Sequence, residues 1–137
     1  MNDTSIQLVR ETFDLVEPIA PQAAALFYAN LFKADPSLAP LFKGDMAAQG
    51  RKLMQMIGLA VSKLDEPATL MPALRQLGQR HAGYGVRDAH YDTVGTALLA
   101  TLQQGLGVAY TADVEEAWTE VYSMIASTMK AAATLPA

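Results

Sequence analysis

The stretch LRQLGQRHAGYGV, residues 74–86, decides how this chain is read. Leu74, Leu77 and His81 recur at spacings of three and four, so a helix of 3.6 residues per turn puts them on one face. That face is an apolar floor with a single imidazole at its end. The carbonyl of Leu77, four residues before His81, is placed to accept Nδ1–H, which leaves Nε2 free for a metal ion. Upstream, Gln49 opens QGRKLMQMIGLAV, residues 49–61, a second apolar helix carrying one amide, and Phe42 ends PSLAPLF, residues 36–42. One imidazole facing one amide across two apolar helix faces is what an axial iron ligand and its opposite side require. Taken alone, His81 is more simply a hydrogen-bonded core histidine; the two upstream segments give it weight.

Composition narrows the field. The 137 residues are 51% hydrophobic and 18% charged, enough for one domain, residues 1–137, around a single core. Net charge is −4, from 10 basic and 14 acidic residues with no basic run, so there is no electrostatic footprint for nucleic acid. Cysteine is absent, which excludes disulfides, thiolate metal sites and cysteine nucleophiles. MNDTSIQLVRE lacks the basic and apolar regions of a signal peptide, and no apolar run reaches the ~18 residues of a membrane span. The expectation is a soluble cytoplasmic protein.

Strand signals are missing and helical periodicity is nearly continuous. The pattern predicts helices over about Thr4–Glu17, with Thr4 and Gln7 as a capping box, and from Pro21 to Asp35. A short third helix runs from Pro36 to Leu41, and Lys43-Gly44-Asp45 is a loop whose Asp45 caps Met46–Lys63. Further helices follow over Ala68–Gly83, over a long segment capped by Asp88 and reaching Leu106, and from Thr111 onward, with residues 134–137 frayed. Six main helices and a short third one make an all-α domain whose helices cross obliquely rather than run up and down.

Tyr28 and Gln49 are two hydrogen-bond donors that suit a small polarised ligand in an apolar cavity, with Leu53 one turn after Gln49 as wall. His90, beside an inward-facing Tyr91, is expected at the surface. The methionines read as core filler. No dinucleotide fingerprint, P-loop, zinc pattern, EF-hand or nucleophile elbow is present.

The segments FYANLFKADPSLAPLF, KGDMAAQGRKLMQMIG, LGQRHAGYGV, HYDTVGTALL and AWTEVYSMIA resemble the globin family over nearly the whole chain, above all single-domain bacterial haemoglobins akin to the globin domain of flavohaemoglobins. FKGDMAAQGRKLM is also similar to neuroglobin-like proteins. The resemblance implies a globin fold around haem b, with His81 as the proximal iron ligand and Leu77 beneath it. By the same likeness Phe42 wedges the haem, Tyr28 and Gln49 form the distal hydrogen-bonding pair, Leu53 is the distal wall, Lys52 reaches a propionate, Val86 packs on the porphyrin edge, and Tyr91 is the proximal-side tyrosine. One departure stands out. Where flavohaemoglobins carry a glutamate that hydrogen-bonds the proximal histidine, Ala133 stands here, eleven residues after Tyr122. His81 is then less imidazolate-like, and reversible oxygen binding is favoured over O–O cleavage.

The resemblance thus implies high-affinity, reversible binding of O2 (with CO or NO as further ligands) at ferrous iron. An enzymatic alternative uses the same residues: nitric oxide dioxygenation, detoxifying NO, with an external electron donor or reductase because the chain has no room for a reductase module of its own. A third reading is a haem-free helical interaction or sensor module.

Overall fold

The structure is a computed structural model that describes residues 2–42 and 44–133. Within them are six α-helices: α1 Asp3–Val16, α2 Ala20–Ala34, α3 Met46–Ser62, α4 Pro67–Gly83, α5 Asp88–Leu106 and α6 Ala112–Ala133. Short 3-10 turns at Glu17–Ile19, Pro36–Leu41 and Gly107–Ala109 join them, and no strand occurs among the described residues. The short third helix of the sequence reading is therefore a 3-10 turn, with Pro36 at its start and Pro40 within it. The expected fraying of residues 134–137 and the placement of Lys43 lie outside the described residues.

Local chemistry sets the boundaries. Asn2, not Thr4, caps α1: its side-chain oxygen accepts the Ser5 N–H at 2.8 Å. Gln7, expected in a capping box, instead donates to Glu11 one turn on. Asp45 caps α3 through the Ala47 N–H at 2.9 Å, and Thr111 accepts the Val114 N–H ahead of α6. At α5 the cap differs from expectation. Arg87 occupies the N-cap position, Asp88 is the first helical residue, and the Arg87 N–H donates to Nδ1 of His90.

The helices bury their apolar stripes against one another, α4 on α6, α2 on α5 and α3, and α1 on α6. The main core gathers Val9, Phe13, Leu70, Leu74, Trp118, Val121 and Met129, among others. A smaller cluster of Phe27, Tyr28, Leu31, Leu38 and Ala97 lies beside it. Trp118 is anchored by its indole N–H, which donates to Thr12 Oγ1 at 2.8 Å. Two glycines fix the helices that carry the candidate site. A Cβ on Gly78 of α4 would run into the Met129 backbone of α6 at its carbonyl oxygen, and one on Gly50 of α3 would stand 2.9 Å from Cβ of Ala24 on α2. No side chain larger than hydrogen permits those approaches without a shift of backbone.

Candidate functional site

Between these packed layers lies a cavity of about 240 Å³. Its wall is mostly apolar, with a few polar groups set into it, the usual make-up of a small-molecule or cofactor site. On one side α4 supplies Leu74, Leu77 and His81, followed by Val86. Across from them stand Tyr28 of α2, Phe42, and Leu53, Met56 and Ile57 of α3. The structure therefore brings Tyr28, Phe42, Leu53, Leu77, His81, Val86 and Tyr91 into the lining of one cavity. Gln49, half-buried in the first turn of α3, and Lys52, exposed, are not in that wall.

His81 Nδ1 lies 2.9 Å from the Leu77 carbonyl oxygen. A carbonyl only accepts, so Nδ1 carries the proton and Nε2 keeps its lone pair. Burial holds the His81 pKa below the ordinary imidazole value, against the smaller upward pull of that hydrogen bond. The ring is thus neutral and able to ligate a metal. No three His, Cys, Asp or Glu residues among the described ones are grouped so that they could hold a metal ion. A metal at His81 would need its remaining ligands from a cofactor, as a porphyrin provides. An apolar wall with one free imidazole nitrogen fits that donor set.

The opposite wall is aromatic. The Tyr28 ring meets Phe27, Phe32 and Phe42 at centroid distances of 5.3, 6.0 and 5.4 Å, edge-on or stacked. Its hydroxyl makes no hydrogen bond among the described residues, and burial raises its pKa, so it remains a phenol with a donor to spare. Tyr91 stands apart: its hydroxyl is buried without a hydrogen-bond partner, while the Lys130 ammonium lies 5.7 Å from its ring centre. The Tyr122 hydroxyl donates to the Tyr91 carbonyl at 2.5 Å, and burial pushes its pKa far up.

Sequence reasoning missed some of the wall. His90, expected at the surface, is only 8% exposed and lines the cavity. Its spacing of three from Arg87 was the available signal, because that is the reach of a cap. Trp118, Val121 and Met129 also line the wall, although their stripe on α6 read only as core.

The globin family model matches residues 25–129. The chain belongs to the globin family. This globin is 32% identical to a flavohemoprotein of Xylella fastidiosa over 129 residues, 92% of the chain but 32% of that protein. It thus spans about a third of the flavohemoproteins it matches. It is also 32% identical to the neuroglobin of Danio rerio, over 89% of the chain and 86% of that protein. Among solved structures, a bacterial globin from Campylobacter jejuni superposes with a TM-score of 0.83 at 20% identity, covering 96% of each chain, a likeness of fold. An engineered carbene transferase from Rhodothermus marinus gives a TM-score of 0.86 at 26% identity over 97% of this chain and 93% of that one. Family membership implies a haem site, and the His81 cavity has the donor and the walls for it. No helix among the described residues is long and apolar enough to cross a membrane.

Proposed function

We propose that this globin is a single cytoplasmic domain, residues 1–137, that holds haem b and binds oxygen reversibly. The observation that carries the reading is the free Nε2 of His81, fixed by the 2.9 Å contact of Nδ1 with Leu77, in an apolar cavity facing Tyr28. When bound, haem supplies a ferrous iron at which a diatomic gas binds. The chain does the rest. His81 holds the iron through Nε2. Leu77, Val86 and Tyr91, which line the cavity with His81, would pack against the haem. Phe42 wedges it, Leu53 keeps water out, and Lys52 at the rim neutralises a propionate.

Tyr28 directs its phenol O–H, and Gln49 its amide N–H, at the charge a bound gas acquires. Gln49 reaches that place by a rotamer turned inward from the first turn of α3. Each such hydrogen bond is worth on the order of 1 kcal/mol net, and each ~1.4 kcal/mol slows escape tenfold. Reconstituted with haem, the protein should show a Soret band and a slow oxygen off-rate. Tyr28→Phe should raise that off-rate at least several-fold in stopped-flow displacement, and an unchanged rate removes Tyr28 from the role.

A second reading draws on the Rhodothermus marinus relative, to which nitric oxide dioxygenase activity has been ascribed, and on the flavohemoprotein relatives. Nitric oxide, oxygen and one electron from an external reductase together make nitrate, atoms and charge balancing. Here Tyr28 and Gln49 hold oxygen in place while nitric oxide enters. Many nitrate ions formed per haem in the presence of a reductase decide for this enzyme, and a single stoichiometric burst decides for the oxygen binder.

A further inference from the structure

Charge is unevenly divided along this acidic chain. Residues 33–87 hold eight of the ten cations and four of the fourteen carboxylates, a net +4; the remainder holds two against ten, a net −8, and together they give −4. The positive part is the stretch from the end of α2 through α4 to Arg87, which supplies residues on both sides of the cavity. Three ion pairs occur among the described residues, using Arg10, Lys63 and Lys130. Lys52, Arg80 and Arg87 are exposed and in none of them. The two carboxylates of a bound haem would offset part of this charge and leave its sign unchanged.

The cavity reaches the surface within the same positive stretch of chain. Leu41 and Met56 line it and are also exposed. On α3, Gly50 and Gly58 mark the flank packed on α2 and α1. Lys52, Met56 and Leu59 follow at i, i+4 and i+7 on the opposite flank. On α4, Gly78 marks the flank packed on α6, and Arg80 lies on the other, with Tyr84 just past the helix end. Leu59 is 55% exposed and Tyr84 70%. Seven large apolar side chains are exposed among the described residues, and four of them, Leu41, Met56, Leu59 and Tyr84, thus belong to one face. The Tyr84 ring lies 6.4 Å from the His81 ring, so the most exposed aromatic on this face adjoins the imidazole assigned to the iron.

An apolar centre rimmed by unpaired cations is built for a partner of opposite charge, because complementary potentials steer encounter while buried apolar groups hold the complex. We propose that the α3–α4 face docks an acidic one-electron carrier protein, which delivers its electron beside His81. In that step the carrier is oxidised by one electron and ferric iron is reduced to ferrous. The proposal rests on the haem reading, and an absent Soret band would remove that reading before the docking face is tested.

The test uses the ferric haem-loaded protein in stopped-flow reduction with three donors: reduced flavodoxin, the ferrous EDTA anion, and the hexaammineruthenium(II) cation. With flavodoxin the rate should fall at least tenfold between about 10 mM and about 300 mM ionic strength, where the screening length shrinks from about 30 Å to below 8 Å. The EDTA complex should also slow with salt, despite the net charge of −4, and the ruthenium complex should not. Arg80→Glu should slow flavodoxin at least threefold at low salt. Arg75→Glu makes the same charge change on the Gly78 flank and should stay within twofold of the parent. A salt dependence following net charge, or equal effects of the two variants, overturns the proposal. So does a dimer in sedimentation velocity that Arg80→Glu abolishes, since the face would then belong to a second copy of this chain.

Discussion

The end of α4 and the start of α5 each place one histidine in the wall of the same cavity, and the backbone gives the two rings opposite chemistry. His81 Nδ1 meets a carbonyl oxygen, that of Leu77 at 2.9 Å, so it must donate. His90 Nδ1 meets an N–H, that of Arg87 at 3.0 Å, so it must accept. Hence Nε2 bears the lone pair on His81 and the proton on neutral His90. Only the first can ligate iron as it stands. Turning His90 into a ligand would cost it the proton arrangement that caps α5. The two contacts arise differently: the Arg87 N–H is one of the donors a helix start leaves without an intrahelical partner, whereas the Leu77 carbonyl, one turn before His81 within α4, takes the ring N–H on its second lone pair.

The contrast is broken most severely at His81. His81→Gly should abolish retention of haem during purification, while His90→Gly should leave it coloured and less stable. Added imidazole should restore the proximal spectrum of His81→Gly, because the variant leaves a space of the ring's shape in a wall otherwise unchanged. If His81→Gly keeps its pigment and its spectrum, the tautomer argument has chosen the wrong ring.

Gly78 carries the next largest effect. It lets α4 sink against Met129 of α6 and so sets where His81 stands. Gly78→Val should destabilise the fold by about 3 kcal/mol, the upper part of the range for overpacking, since the obstructing atoms are backbone. It should also weaken haem retention by displacing α4. Gly83→Ala, one turn later, has nothing within 4 Å of its new Cβ and should leave both nearly unchanged. Equal denaturation midpoints for the two variants would show that the close approach carries no energy.

The periodicity of Leu74, Leu77 and His81 was legible because a helix face repeats in sequence, and so was the Leu77 contact, which is a four-residue matter. Asp45 as a cap was legible for the same local reason. His90 was not read correctly, because a histidine beside a helix start is usually solvated, and its burial depends on α5 closing over the cavity. Gln7 at capping-box spacing points to Thr4 as the cap, but Asn2 stands one residue outside the helix and is the better acceptor. The roles of Trp118 and Met129 in the wall arise from α6 lying under α4, a tertiary fact that no local pattern on α6 encodes. The division of charge was open to counting from the start. Its meaning required the flanks of α3 and α4 to be assigned, which Gly50, Gly58 and Gly78 do only through the atoms they touch.

A smaller, graded effect at His81 appears with pH. Burial holds the His81 pKa below its ordinary value of 6.5. In the unfolded chain the ring takes up a proton as pH falls through about 6.5, while in the folded haem-free protein it stays neutral to a lower pH. The unfolded state then binds more protons, so stability declines as pH drops through this window. Urea midpoints of the apoprotein should fall between about pH 7 and about pH 5, a slope of at most ~1.4 kcal/mol per pH unit from one group. His81→Gln should flatten it. Asp35 and Asp65, whose carboxyls are held low by Ser37 and Arg10, titrate below this window and should leave the slope intact. A parent and variant with the same slope would mean that His81 is not the group being titrated.

The mildest change tests the other half of the comparison. If His90 matters to α5 as an acceptor for the Arg87 N–H, any side chain that accepts at that reach should serve. His90→Leu keeps the bulk in the cavity wall but leaves the N–H unmet, and should cost about 1 kcal/mol, the usual value of a lost cap. His90→Gln offers an amide oxygen at similar reach and should recover at least half of that loss. Both should keep the Soret band, because the nitrogen assigned to the iron belongs to His81. Hydrogen exchange at the Arg87 amide gives the sharper reading: it should speed up in His90→Leu and slow again in His90→Gln. Equal exchange in both variants would assign His90 to packing alone, and the opposed tautomers would then reflect two backbone contacts of which only the one at Leu77 has a function.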